Sequence, residues 1–176
     1  MSGKIFGSVC ICCTVIAIVI FLVPATTALV FYHENTNKIE AFLPLETGDT
    51  FQFIFTHSIH LTDVVETYEV TDDLEIKQNE IAYEHFGIGM PSNAGEGEKF
   101  TYEDGKYRIS KLDNIFSSIN IRNGKTVSRN RLIWGNEGEN LIWFNQYFDP
   151  GAWFKVKIKR ITLWEYIRGV RIYEGR

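Results

Sequence analysis

Cysteine is scarce in this sequence and is confined to its beginning. The chain of 176 residues has 3 cysteines, at Cys10, Cys12 and Cys13, and none follows them. The rest of the chain therefore has no thiol for a disulfide, a cysteine nucleophile or a cysteine-ligated metal, so it must fold on its own hydrophobic core. The sequence has only 4 prolines and no low-complexity run, which argues against a disordered protein. Its net charge is −4, so basic residues are not in excess and no nucleic-acid partner is expected.

The signature motifs of common enzyme classes are also missing. The chain has no G-x-S-x-G elbow and no G-x-G-x-x-G loop. After its first 32 residues, no segment repeats apolar residues at helical spacing over three turns. These absences argue against an α/β enzyme. We expect no cofactor and a protein that acts by binding rather than by catalysis.

One long apolar run stands at the beginning of the chain. No charged residue occurs from Ile5 to Tyr32, which is longer than the ~20 positions that a helix needs to cross a bilayer. Lys4 precedes the run and Glu34 follows it, which favours a cytoplasmic N-terminus by the positive-inside rule. The sequence therefore predicts a single-pass protein of the cell membrane, with its main domain outside the cytoplasm.

The apolar run and the polar residues after it suggest three parts. We expect a transmembrane anchor over residues 1–32, a tether over residues 33–40 and an extracytoplasmic domain over residues 41–176. A cleavable signal peptide is the alternative to the anchor, because Thr26-Thr27-Ala28 resembles a small-residue cleavage site. Both alternatives export the domain.

A period of two dominates the sequence of the outer domain. Phe51, Phe53 and Phe55 share one face of an extended segment. The pairs Asp104-Gly105 and Asn123-Gly124 are typical of tight hairpin turns. Further strands are predicted over residues 64–70, 74–85, 141–144 and 153–161. The expected fold is all-β, an antiparallel sandwich or barrel preceded by one N-terminal transmembrane helix.

Polar and titratable residues cluster between the first two strands of that domain. His57, Ser58, His60, Asp63 and Glu66 lie within ten positions, and a Gly-x-Gly-Met loop follows the third strand. Four interpretations stay open: a hydrolase, a zinc site, a buried polar network that fixes one corner of the barrel, and a site that binds a partner protein or a small anion. The hydrolase would use Ser58, a histidine and an acid, and the zinc site would use His57, His60, Glu66 and His85. The residues proposed to bind a ligand or a partner are His57, Ser58, Glu66, Gly87, Gly89 and Met90.

The same residues carry a resemblance to a known family. Residues 45–68 and 86–91 resemble a bacterial family of small exported proteins, the domain of unknown function eighteen-fifty. The family pattern is an aromatic strand that ends in His-Ser-hydrophobic, then an acidic residue before an aromatic one, then Gly-x-Gly-Met. The matching residues are His57, Ser58, Glu66, Tyr68, Gly87, Gly89 and Met90. The family often has a proline where this chain has Asp63.

The resemblance implies a genomic neighbourhood rather than a catalysed reaction. Members of the family are typically encoded beside TAXI-type TRAP transporters, which pair an exported solute-binding protein with a membrane permease. An accessory role in solute uptake follows, with the TRAP permease or its solute-binding protein as the expected partner. The contact or ligand site would be the region His57 to Glu66 together with Gly87 to Pro91. The alternative is a membrane-anchored metal-binding protein or hydrolase that uses His57, Ser58, His60 and Glu66.

Overall fold

The protein folds into two antiparallel β-sheets that pack face to face. A computed structural model describes residues 2–87, 89–126 and 129–173. The small sheet has the strand order β2-β1-β11-β8 and the large sheet has the order β10-β9-β3-β4-β5-β7-β6. The prediction of an all-β antiparallel fold is confirmed. The strands are β1 (Pro24–His33), β2 (Ile39–Pro44), β3 (Thr50–Thr56), β4 (Asp63–Val70), β5 (Ile76–Tyr83), β6 (Lys99–Glu103), β7 (Lys106–Phe116), β8 (Ile119–Arg122), β9 (Arg131–Trp134), β10 (Asn140–Trp143) and β11 (Trp153–Thr162).

The first helix ends before the apolar run of the sequence does. Helix α1 covers Ser2–Leu22, and β1 starts at Pro24 with only Val23 between them. No helix in the described part of the chain is long and apolar enough to cross a membrane. The second helix, α2 (Leu163–Arg168), is a single short turn that follows β11 and contacts α1.

The predicted boundary between anchor and domain at residue 32 needs correction. Residues 24–33 form β1, a central strand of the small sheet with β11 on one side and β2 on the other. Ala28, Leu29, Val30 and Phe31 are all 0% exposed. A strand that is buried on both faces is a continuous apolar run, so hydropathy alone does not separate it from the helix that precedes it. The expected tether is likewise a β-hairpin loop, in which the His33 amide donates to the Lys38 carbonyl oxygen at 3.0 Å.

Aromatic rings fill the space between the two sheets. Phe31 lies at the centre, with its ring centroid 5.0 Å from that of Phe148, 6.0 Å from Phe144 and 6.2 Å from Phe53. Such edge-to-face and tilted pairs stabilise a core beyond the area they bury. Because Phe31 belongs to the small sheet and Phe53 to the large one, this ring cluster fixes the two sheets relative to each other.

Of the two predicted Gly-containing hairpin turns, one is present in the structure and the other is not. Asp104 and Gly105 join β6 to β7 with φ angles of 52° and 78°, as a tight hairpin turn requires. The predicted hairpin at Asn123-Gly124 is wrong. β8 ends just before Asn123 and pairs with β11, which starts at Trp153, rather than with a strand directly after the Asn-Gly pair.

Asn123 instead ties a loop to the core. Its side chain is 1% exposed, and its amide group donates to the carbonyl oxygens of Phe148 at 3.0 Å and Asp149 at 3.2 Å. The backbone N–H of Asn123 also donates to the Ala152 carbonyl oxygen at 2.9 Å. Here the asparagine side-chain amide bonds to a distant loop and does not form a hairpin turn.

Candidate ligand-binding cavity

An open cavity of about 470 Å³ lies between the two sheets at one end of the sandwich. Strands β3 and β4 of the large sheet form one wall, and β8 of the small sheet forms the other. β8 has only four residues and is the edge strand, so the small sheet ends where the large sheet continues. The volume is within the range of roughly 300–1,000 Å³ that is usual for small-molecule sites.

A carboxyl group and a phenol face this cavity from the large sheet. Glu66 and Tyr68 alternate on the same face of β4, opposite Phe53 and Phe51 of β3. The Tyr68 hydroxyl donates to the Glu66 carboxylate at 2.9 Å. Tyr68 is only 5% exposed, whereas Glu66 is partly buried because it faces the open space.

Burial changes the acidity of both groups. Desolvation raises the pKa of Glu66, and this effect outweighs the hydrogen bond from Tyr68, which acts in the opposite direction. Desolvation and the neighbouring Glu66 charge raise the pKa of Tyr68. Glu66 therefore keeps its proton to a higher pH than a solvated glutamate does, and Tyr68 remains a hydrogen-bond donor.

Basic residues line the cavity near its opening. This basic rim consists of Arg122, Lys125 and Arg131, while Glu66 is the single acidic side chain in the lining among the described residues. The Arg131 guanidinium forms an ion pair with Asp63 at 2.6 Å and lies 5.0 Å above the Trp143 ring. Within the described chain, Lys125 has no carboxylate partner within ion-pair distance. The rim therefore keeps an excess of positive charge.

The ion pair beside the rim holds Asp63 in its charged form. Partial burial opposes ionisation of Asp63, but the hydrogen bond and the charge of Arg131, together with Thr56, lower the pKa below its usual value. The Thr56 hydroxyl lies 3.1 Å from the carboxylate. Asp63 thus holds the Arg131 side chain on the face of the large sheet opposite to Glu66.

Two buried polar atoms of the lining residues lack a protein partner. Among the described residues, neither Nε of Arg131 nor Oδ1 of Asn130 has a hydrogen-bond partner. The Asn130 amide nitrogen is engaged, because it donates to the Arg122 carbonyl oxygen at 2.8 Å. Buried donors and acceptors without partners are uncommon. Both atoms are closed off from the open space of the cavity, so neither would contact a bound molecule directly.

The histidines that the sequence singled out converge, but as a stack of rings. In this histidine stack, the ring centroids of His57 and His60 are 5.0 Å apart, and those of His60 and His85 are 5.3 Å apart. Nδ1 of His57 accepts from the backbone N–H groups of Ile59 at 3.3 Å and His60 at 3.4 Å. In the part of the chain that the structure describes, no group of three or more histidines, cysteines or carboxylates is placed to hold a metal ion.

The Gly-x-Gly-Met loop packs beside this stack. A Cβ atom on Gly87 would lie 2.9 Å from Nε2 of His60 and 3.2 Å from Cε1 of His57, so the close approach of the loop to the rings requires glycine. Gly89 has a φ of +88° and open space around it, and Met90 packs against the cluster that contains Val64. Position 88, between the two glycines, lies outside the described residues.

The predicted site residues therefore occupy two adjoining places. Ser58, which is exposed, and Glu66 line the cavity. His57 belongs to the histidine stack, while Gly87 and Met90 support the loop that covers it. Sequence reasoning missed the basic rim and Asn130. Arg122 and Lys125 lie in the segment that the sequence predicted to be a hairpin, and no prediction covered Asn130 and Arg131.

Comparison with protein families gives the chain its classification. The model of a family described as Domain of unknown function (DUF1850) matches residues 51–141. The chain belongs to this family. The matched range includes Glu66 and all three residues of the basic rim. No curated protein and no solved structure shows a significant match to the chain.

Proposed function

We propose that this member of the family is a membrane-anchored extracytoplasmic accessory protein of a TAXI-type TRAP uptake system. It acts by binding and not by catalysis. The observation that carries the proposal is the cavity, which combines an apolar interior, a buried Glu66–Tyr68 pair and a basic rim within the range that defines the family. A small-molecule binding site suits a protein that works beside a solute transporter.

The N-terminal segment supports the membrane location in this proposal. Residues 5–22 carry no charge, and α1 ends one residue before the domain begins. Phe21 of α1 packs edge-on against Trp164 of α2, with their ring centroids 6.3 Å apart. Tryptophan is common where a membrane segment meets water. The domain would then lie directly on the membrane surface, without a tether.

The position of β1 favours a retained anchor over a cleaved signal peptide. Cleavage after Ala28 would remove the first half of a strand that pairs along its whole length with β11. The remaining residues would leave Ile161 and Lys159 without their pairing partners, which are Thr26 and Ala28. A cut at that place would therefore open the small sheet.

The local hydrogen bonds favour binding over hydrolysis. A histidine base needs a free ring nitrogen directed at the nucleophile. Nδ1 of His57 is instead occupied by two backbone N–H groups of its own turn. Glu66 is paired with Tyr68, not with a histidine of the stack.

The proposal is tested by recovering partners and by measuring uptake. The tagged full-length protein is purified from detergent-solubilised membranes, and co-purifying proteins are identified by mass spectrometry. We expect the TRAP permease or its solute-binding protein to be recovered, and uptake of the transported solute to fall when the gene is deleted. Complementation with Glu66→Gln should restore uptake poorly, whereas the exposed control Glu103→Gln should restore it fully. A protein that is recovered alone, from cells in which deletion leaves uptake unchanged, would refute the accessory role.

A further inference from the structure

We propose that the cavity binds a small organic anion, with its carboxylate at Lys125 and its apolar body directed towards the Glu66–Tyr68 pair. This inference names the ligand class of the proposed function, and it rests on that proposal only in taking the cavity as the binding site. Three independent features of the cavity carry it: the charge at its opening, the apolar walls and the polar atoms at its inner end.

The charge of the opening selects an anion. Of the three side chains of the basic rim, Arg131 is neutralised by Asp63 and Arg122 lies 5.4 Å above the Trp153 ring. Lys125 is exposed and has no carboxylate partner among the described residues. Hydrogen bonds from such cations to a carboxylate are shorter and stronger than those between neutral groups.

The walls of the cavity select an apolar body of limited size. Phe53 and Phe144 line the large-sheet side and Ile119 and Ile121 of β8 line the other. The volume of about 470 Å³ equals that of about 15 water molecules, at ~30 Å³ each. The site therefore fits a metabolite-sized molecule and not a peptide strand or a lipid with two chains.

The inner end offers an acceptor for a second polar group. Oε2 of Glu66 accepts from the Tyr68 hydroxyl, and no described residue donates to Oε1. A hydroxyl group at the far end of the ligand would donate to this oxygen. A second carboxylate would not be accepted there once Glu66 is ionised, because two like charges would meet in an apolar environment.

Three probes with the same carbon chain test the ligand class. Hexanoate, 6-hydroxyhexanoate and hexylammonium are titrated into the purified full-length protein in a non-ionic detergent, and binding is followed by calorimetry. We expect hexanoate to bind at least tenfold more tightly than hexylammonium, and 6-hydroxyhexanoate to bind more tightly than hexanoate. Equal affinities for hexanoate and hexylammonium would overturn the proposal.

Matched variants locate the binding. Lys125→Gln should weaken hexanoate binding about fivefold or more, whereas Lys99→Gln, which removes an exposed lysine of β6 remote from the lining, should leave it unchanged. Glu66→Leu should abolish the preference for 6-hydroxyhexanoate over hexanoate. Amide shifts at Gly124 and Thr126 on titration provide a readout that does not depend on the variants. Equal effects of Lys125→Gln and Lys99→Gln, with no shifts at these amides, would overturn the assignment.

The two proposals fail in distinguishable ways. Selective hexanoate binding by a protein that recovers no transporter component would overturn the accessory role and support the ligand class. Recovery of the permease with a cavity that does not discriminate between hexanoate and hexylammonium would overturn the ligand class and support the accessory role.

Discussion

Replacing Glu66 by glutamine should make the protein more stable at neutral pH. Glutamine has nearly the same shape, and its side-chain oxygen can still accept from the Tyr68 hydroxyl, so packing in β4 is retained. What the change removes is the cost of holding a carboxylate among Phe53, Tyr68 and Ile81, its neighbours on the inner face of the large sheet. That cost is the physical origin of the raised pKa of Glu66.

The sign and the size of the effect follow from proton linkage. Because burial raises the pKa of Glu66 in the folded state, the folded protein keeps this proton at pH values where the unfolded chain has lost it. The free energy of unfolding therefore falls as the pH rises from the unfolded pKa through the folded pKa, and is constant above it. Each unit of difference between the two pKa values costs about 1.4 kcal/mol at neutral pH. Glu66→Gln abolishes this loss, since glutamine does not titrate.

The assay is urea unfolding of the full-length protein from pH 4 to pH 8, followed by the fluorescence of its 4 tryptophans. The variant and the wild type should have similar stability at the acidic end, and the variant should gain as the pH rises. Glu103→Gln serves as the matched control, because Glu103 is exposed on β6 and faces no cavity. Parallel stability profiles for Glu66→Gln and the wild type, or a variant that is less stable at pH 7, would refute the reasoning.

Three further substitutions test the core, the buried amide and the ion pair. Phe31→Ala should lower the free energy of unfolding by about 3–5 kcal/mol, because it empties the centre of the ring cluster; a loss below ~1 kcal/mol would contradict that position. Asn123→Ala should cost about 1–3 kcal/mol in urea unfolding by leaving buried carbonyl groups without a donor, whereas the exposed control Asn120→Ala should cost little. Asp63→Asn should destabilise the protein at pH 7, and the deficit should shrink as the pH falls through the lowered folded pKa of Asp63. A deficit that is constant between pH 7 and pH 3 would show that the charge of Asp63 is not what Arg131 requires.

Most of the strands could be predicted because their two faces have different surroundings. In β11 the buried residues Phe154, Val156 and Ile158 alternate with lysines, and that alternation is visible in the sequence. β1 has no such contrast, since Ala28 to Phe31 are buried on both faces. Hydropathy reports only that a residue avoids water, and it does not tell a lipid environment from the middle of a sandwich.

The candidate site likewise has one part that could be predicted from the sequence and one part that could not. Ser58 lies in the loop between β3 and β4, and Glu66 lies in β4. Because these two strands are adjacent in sequence and pair with each other, the short distance along the chain predicted that the two residues lie close in space. Arg122 of the basic rim lies on β8, which pairs with β11 more than 30 positions further along the chain. Pairing over that distance leaves no local pattern. The lysine and arginines of this segment therefore read as ordinary surface charges.

The order of strands in the small sheet connects the N-terminal helix to the cavity. β8 forms one wall of the cavity, and among the described residues it pairs with β11 alone. β11 is held on its other side by β1, which starts two residues after the end of α1. The matched family range contains β8 but neither of these two supporting strands. Two strand pairings therefore separate the N-terminal helix from the wall that carries Ile119 and Ile121. A change that displaces β1 would reach the cavity through the backbone ladder, without any contact between the helix and the ligand.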